Sequence, residues 1–199
     1  MLHQPSDEDL MSRVKKGEAE AFEMLLARYR KPLFSFILRM VGDFHKAQDI
    51  FQETFFRVFR NAWRYDESLR FSPWLYRIAR NLCLEEIRRR KRVKIILVDE
   101  GAKLQPKELW GRETLDEEVE EMRRIVERAI LQLPERQREV LLLRENQGLS
   151  YEDIAQITGM SVPAIKSCLH RARMALKDIL APYLRSSGMQ SERRGRNEM

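Results

Sequence analysis

Residues 150–173, SYEDIAQITGMSVPAIKSCLHRAR, decide the reading of the C-terminal half. Ser150 and Asp153 form a capping box, which satisfies backbone N–H groups otherwise unpaired at a helix start. Ala155 is small where two helices must cross closely. Gly159 falls four residues later, where the turn needs a residue that tolerates positive φ. Ser161 then caps a second helix, and Ile165 completes a shared core with Ile154, Ile157, Val162 and Leu169. This spacing predicts a helix-turn-helix. The outward positions of its second helix are Pro163, Lys166, Ser167, His170, Arg171 and Arg173. From Ala164 to Lys177 there are four basic residues and no acid. Such a helix can dock in a major groove by its N-terminal half and direct these side chains at phosphates and base edges. Glycine-turn hairpins also occur as plain structure, but the caps, the spacing and the acid-free second helix favour duplex binding.

A second basic module lies upstream in FSPWLYRIARNLCLEEIRRRKR, residues 71–92. Phe71, Trp74 and Tyr76 precede five consecutive basic residues, Arg88 to Arg92. Aromatic faces stack on unpaired bases at about 1–3 kcal/mol per base, and Arg and Lys neutralise phosphates. Taken alone, the segment fits a core helix with a solvated basic end equally well. The charge pattern favours two modules: Arg77 to Lys94 holds eight basic and two acidic residues, whereas Asp99 to Glu121 holds three basic and nine acidic. The whole chain of 199 residues carries a formal charge of +6, which favours a polyanionic partner.

Periodicity predicts an all-α fold. Ser6 caps a short helix over 7–16, and a second helix from Glu18 carries Pro32, expected to kink or break it. A third helix, about 45–62, turns Ile50, Phe51, Thr54, Phe55, Val58, Phe59 and Ala62 inward. Ser72 is expected to cap the fourth helix, with Pro73 in its first turn. The expected organisation is two small helical domains, 1–97 and 119–184, joined by a flexible acidic linker over 98–118, with a disordered tail over 185–199. Cys83 and Cys168 show no metal-binding spacing and suit a reducing cytoplasm. No signal peptide or run of 18 apolar residues is present, so membrane insertion is not expected. No metal site, cofactor or catalytic residue is expected either.

The order of these parts resembles a bacterial sigma factor of the extracytoplasmic-function (ECF) group of the sigma-70 family. AQDIFQETFFRVFRN (47–61) is similar to the family's region 2.2, and the 71–92 segment to regions 2.3–2.4. LPERQREVLLLRENQGLSYEDIAQITGMSVPAIKSCLHRARMALKDIL (133–180) resembles region 4. The resemblance implies a protein that directs core RNA polymerase to minus-35 and minus-10 promoter elements and helps open the DNA. It implies that Asp49, Gln52, Glu53 and Arg57 meet the β′ clamp helices, and Leu141 and Leu142 the β flap. Trp63, Arg64, Tyr65 and the loop to Phe71 would capture a flipped minus-10 base, with Tyr65 the expected stacking residue. Trp74, Arg77, Arg80 and Asn81 would line the non-template strand, and Arg88, Arg89, Arg90 and Arg92 would hold phosphates at the duplex edge. Pro163, Lys166, Ser167, His170, Arg171 and Arg173 match the minus-35 positions. The family also implies an anti-sigma factor as a partner. Pro163 and Ala164 depart from the Gly-Thr or similar pair often found at the start of the recognition helix, and Glu86 from a common Asp.

Two rival readings differ in class. A polymerase-independent helix-turn-helix regulator would leave the 71–92 segment unexplained. An enzyme would need clustered ligands or an acid/base pair, and His3, His45 and His170 are scattered.

Overall fold

Several helix starts in this chain are fixed by side-chain caps, some local and one long-range. In α1 (Asp7–Lys15), the Ser6 hydroxyl accepts from the Asp9 N–H at 3.0 Å, and the Asp9 carboxylate accepts from the Ser6 N–H at 3.1 Å. α2 (Ala19–Val41) runs through Pro32 without ending there. It stops at Gly42, whose φ of 71° disfavours any side chain. A Cβ on Gly42 would also come within 3.1 Å of the Leu131 side chain, which would have to give by a few tenths of an ångström. Asp43 caps α3 (Phe44–Arg60), accepting from the Lys46 N–H at 2.9 Å. A 3-10 turn, Ala62–Arg64, follows.

α4 (Phe71–Lys94) begins one residue ahead of its expected cap, Ser72. The Phe71 N–H donates instead to the Glu8 carboxylate of α1 at 2.9 Å, a cap separated by 63 residues in sequence and therefore invisible to local pattern. The computed structural model describes residues 5–94 and 117–194, with side chains over 5–92 and 119–184. All regular elements among the described residues are helical. The linker expected over 98–118 falls outside them except for its last two residues, which begin α5 (Glu117–Gln132).

α1 to α4 enclose a core of Leu10, Met11, Leu25, Leu33, Phe36, Phe71, Leu75 and Tyr76. Its rings meet edge to face, with Tyr29–Phe71 centroids 5.5 Å apart and Phe36–Tyr76 5.4 Å apart, a geometry that suits their quadrupoles. The second half continues through α6 (Glu135–Leu141), one π turn (Leu142–Asn146), α7 (Tyr151–Thr158) and α8 (Val162–Arg194). The expected capping box at Ser150 and Asp153 is present, and Gly159 ends α7 at φ 72°. Ile154, Ile157, Ile165 and Leu169 are buried between α7 and α8, and Val162 is half-buried. α8 continues to Arg194, past residue 185 where the tail was expected to begin.

The second half lies against α2 and α4, and the buried apolar residues of both halves form one continuous cluster. Arg138 is the main polar staple. Its guanidinium donates to Met40 O at 2.6 Å, Leu131 O at 2.6 Å and Leu133 O at 3.1 Å, joining the C-terminal ends of α2 and α5. A cation is favoured there by the carbonyl dipoles. Tyr76 donates its hydroxyl proton to Gln147 Oε1, and the Gln147 amide donates to the Pro32 carbonyl at 3.3 Å.

Candidate nucleic-acid interface

α8 presents the surface its sequence predicts. Ile165, Cys168, Leu169 and Ala172 face inward, and Pro163, Lys166, Ser167, His170, Arg171 and Arg173 are all exposed. The Lys166 ammonium lies 5.3 Å from the centre of the Tyr151 ring, and Arg144 packs on the same ring at 4.6 Å. Arg173 pairs with Glu145 at 2.5 Å. The pair is exposed, so holding it costs a competing phosphate little. An exposed basic helix face on a rigid capped hairpin can read a major groove.

The single-strand site is arranged differently from expectation. Trp63, on the 3-10 turn, is 68% exposed, and the Arg64 guanidinium stacks on it at 4.6 Å. Tyr65, the expected stacking residue, is only 3% exposed. Its ring packs on Trp74 at 5.2 Å and Phe71 at 6.1 Å, and its hydroxyl donates to Leu69 O. Burial, reinforced by the charge of Glu8 and neighbouring carboxylates, pushes its phenol up to about 12. Phe71 is fully buried and Trp74 half-buried, so neither Tyr65 nor Phe71 offers a face to a base here. The physical reason is the loop's own closure: the 3-10 turn carries Tyr65 back over α4.

Along α4, Arg77 and Asn81 are exposed, whereas Arg80 ion-pairs with Glu139 of α6. Arg88, Arg89 and Arg92 are exposed at the C-terminal end. Arg90 is held back: it bonds Glu86 at 2.7 Å and Asp43 at 3.1 Å, and donates to Val41 O at 3.1 Å. Glu86 is held at the first turn of this basic run by Arg89 and Arg90 together.

On α3, Asp49 and Gln52 are exposed, Asp49 pairs with Lys46, and Glu53 pairs with Arg57 at 2.7 Å. Phe59, expected inside, is 58% exposed, and Phe56 is 56% exposed with Arg60 lying over its ring. The sequence held a signal for Phe56. It stands four residues after Gln52 and three after Glu53, on the same helical face. A groove of about 540 Å³ between α2 and α3 adjoins this face, with Phe34, Phe44 and Phe51 at its base and Arg30 and Lys31 at its rim. Leu141 and Leu142, expected to meet a partner, are buried in this conformation.

Among the described residues, no three His, Cys, Asp or Glu side chains gather as a metal site. No helix among them is long and apolar enough to cross a membrane.

Two family models match the chain: Sigma-70 region 2 over residues 25–93 and Sigma-70, region 4 over residues 123–176. The chain is 36% identical to the RNA polymerase sigma-H factor of Pseudomonas aeruginosa over 94% of its length and 100% of that protein. It is 35% identical to the ECF RNA polymerase sigma-E factor of Escherichia coli over 93% of this chain and all of that one. It is 32% identical to the ECF RNA polymerase sigma factor SigW of Bacillus subtilis, over 84% and 92% respectively. Among solved structures, the sigma factor RpoE in complex with the anti-sigma factor NepR from Bartonella quintana matches with a TM-score of 0.65 at 26% identity, covering 80% of this chain and 96% of that one. CnrH in complex with the cytosolic domain of CnrY shares the fold, with a TM-score of 0.68 at 23% identity over 89% of this chain and 99% of that one.

Proposed function

The chain belongs to the sigma-70 family, in its ECF group, and is an alternative sigma factor that recognises promoters with core RNA polymerase; from that premise we propose how its residues divide the work. The observation that carries the division is the presence of regions 2 and 4 in one chain and in this order, each with a basic helix turned outward. The outward face of α8 binds the minus-35 duplex, with Lys166, Ser167, His170 and Arg171 toward base edges and Arg173 toward phosphate. A good bidentate pairing there discriminates by about 1–3 kcal/mol.

Trp63, backed by Arg64, stacks on the extruded minus-10 base, and Tyr65, Phe71 and Trp74 hold the loop that carries it. Arg77, Arg80 and Asn81 line the non-template strand, while Arg88, Arg89 and Arg92 grip phosphates at the duplex edge. The exposed face of α3, with Asp49, Gln52, Glu53, Arg57 and the unpredicted Phe56, docks on the β′ clamp helices. Leu141 and Leu142 serve the β flap once they are uncovered. The chain supplies binding energy for opening and no bond chemistry, and it works in the cytoplasm. Its inhibitor is an anti-sigma factor, as for the Bartonella quintana sigma factor RpoE solved with NepR.

Run-off transcription from candidate promoters with purified core polymerase tests this reading. Promoter-specific transcripts should appear only when the protein is added. Tight operator binding by the protein alone, with no dependence on polymerase, would replace it with the polymerase-independent regulator.

A further inference from the structure

One face of α1 holds both ends of the loop that follows Trp63. Glu8, Ser12 and Lys15 stand at i, i+4 and i+7, so they line one side of that helix. The Glu8 carboxylate accepts from the Phe71 N–H at 2.9 Å, where the loop passes into α4. Two helical turns further on, the Lys15 ammonium donates to Tyr65 O at 3.2 Å and to the Glu67 carboxylate at 2.7 Å. Tyr65 closes the 3-10 turn that bears Trp63. The Lys15 ammonium, ahead of the Ser12 hydroxyl, holds the Glu67 carboxyl below its ordinary range. α1 is itself anchored: Asp7 accepts from Arg28 and from the Tyr29 hydroxyl, and the Tyr29 ring packs on Phe71 at 5.5 Å. Inside the loop, Asp66 accepts from the Ser68 N–H at 3.0 Å, and Tyr65 donates to Leu69 O. The residues of α1 precede the stretch that matches Sigma-70 region 2, which begins at residue 25.

We propose that α1 is a splint for minus-10 base capture, with Glu8 and Lys15 as positioning residues that hold the loop in its stacking geometry without touching DNA. The splint rests on the functional reading, which gives Trp63 the extruded base. A loop tied at both ends loses little further freedom when a base arrives. Cutting either tie leaves that ordering to the binding step, so affinity falls only where a base engages the loop. The charges of the two ties separate this role from direct contact with the strand. A DNA phosphate attracts Lys15 and repels Glu8. Two residues of opposite charge that act alike on base capture must therefore act through the loop they share.

The test uses the full chain reconstituted with core polymerase and two fluorescent minus-10 non-template oligonucleotides. One is intact and the other has an abasic site at the extruded position, so the ratio of their affinities measures base capture. Lys15→Met and Glu8→Ala should each cut that ratio about threefold to tenfold and leave the abasic affinity unchanged. Glu8→Gln keeps an acceptor for the Phe71 N–H and should keep the wild-type ratio. So should Lys16→Met, which removes a charge at a residue whose side chain has no hydrogen bond to the loop among the described residues. Lys15 lies at the surface, so Lys15→Met should keep the wild-type urea midpoint, and this arm stands even where Glu8→Ala loosens the fold. Equal loss on both oligonucleotides, or an unchanged ratio in Lys15→Met, would overturn the splint. A shallower salt dependence in Lys15→Met would also overturn it, by making Lys15 a phosphate contact. The functional reading fails on a different result, a wild-type complex that binds both oligonucleotides equally, seen before any substitution is made.

Discussion

Trp63 and Tyr65 stand two residues apart and should fail in opposite ways when cut back to alanine. Tyr65 is 3% exposed, packs on Phe71 and Trp74, and bonds Leu69 O. Truncating a buried aromatic costs about 3–5 kcal/mol, a large part of the roughly 5–15 kcal/mol available to a domain. Tyr65→Phe removes only the hydroxyl bond and should cost about 1 kcal/mol. Trp63, at 68% exposure, contributes little to folding beyond its contact with Arg64. Trp63→Ala should therefore shift stability by about 1 kcal/mol or less, the range of an exposed cation–π contact. Its stacking surface is worth about 1–3 kcal/mol per base, which is roughly a fivefold to hundredfold loss of affinity. The assays are urea denaturation of each variant, and binding of a fluorescent minus-10 non-template oligonucleotide by the reconstituted polymerase complex. Trp63→Ala should keep its denaturation midpoint and lose oligonucleotide affinity, while Tyr65→Phe should keep that affinity. If Tyr65→Phe loses affinity and Trp63→Ala does not, the assignment of the stacking face is wrong.

Three further outcomes follow from the same geometry. Arg171→Ala should lose about 1–3 kcal/mol of discrimination between correct and altered minus-35 sequences, measured by competition binding; equal weakening on every sequence would make Arg171 a phosphate contact. Phe56→Ser should leave thermal stability within about 0.5 kcal/mol and weaken core-polymerase binding by about 2 kcal/mol, since Phe56 is exposed beside Gln52 and Glu53; unchanged binding in a titration with core enzyme would remove it from the docking face. Stability should also fall in alkali. The Tyr65 phenol is raised to about 12, by burial first, against about 10 in the unfolded chain. Between those values the unfolded chain has lost a proton that the folded chain keeps, so stability declines as pH rises through that window. Burial raises Tyr29 and Tyr76 in the same direction. A urea midpoint unchanged between about pH 8 and 11 would contradict the burial of these rings.

What the sequence made legible was whatever a few neighbouring residues decide among themselves. Ser150 with Asp153 closes a capping box and Gly159 adopts positive φ whatever lies elsewhere in the chain, so the helix-turn-helix and its six outward side chains could be read directly. Helical period also separates two faces of α3, but it does not say how far the apolar face extends. Phe59 borders that face and makes an edge contact with Phe22 at 5.3 Å, yet more than half of it stays in water. Aromatic type misled at Tyr65 for a related reason. A ring in a polar loop looks available until the loop's path is known, and the 3-10 turn sends Trp63 outward and Tyr65 inward.

The least legible features depend on residues far apart in the chain. Phe71 takes its cap from Glu8, and Arg138 ties α2 to α5, with nothing local to announce either bond. Arg80, Leu141 and Leu142 show why this matters for function. Family pattern assigns each to a partner, but Arg80 is tied to Glu139 across the two halves, and Leu141 and Leu142 are buried. A residue's chemistry states what it can bind; the fold decides when that surface is free. For this chain the two diverge most where acidic side chains of the second half meet basic ones of the first. There the ligand that Arg80 holds, a carboxylate, carries the same single negative charge as the DNA phosphate a guanidinium would otherwise meet.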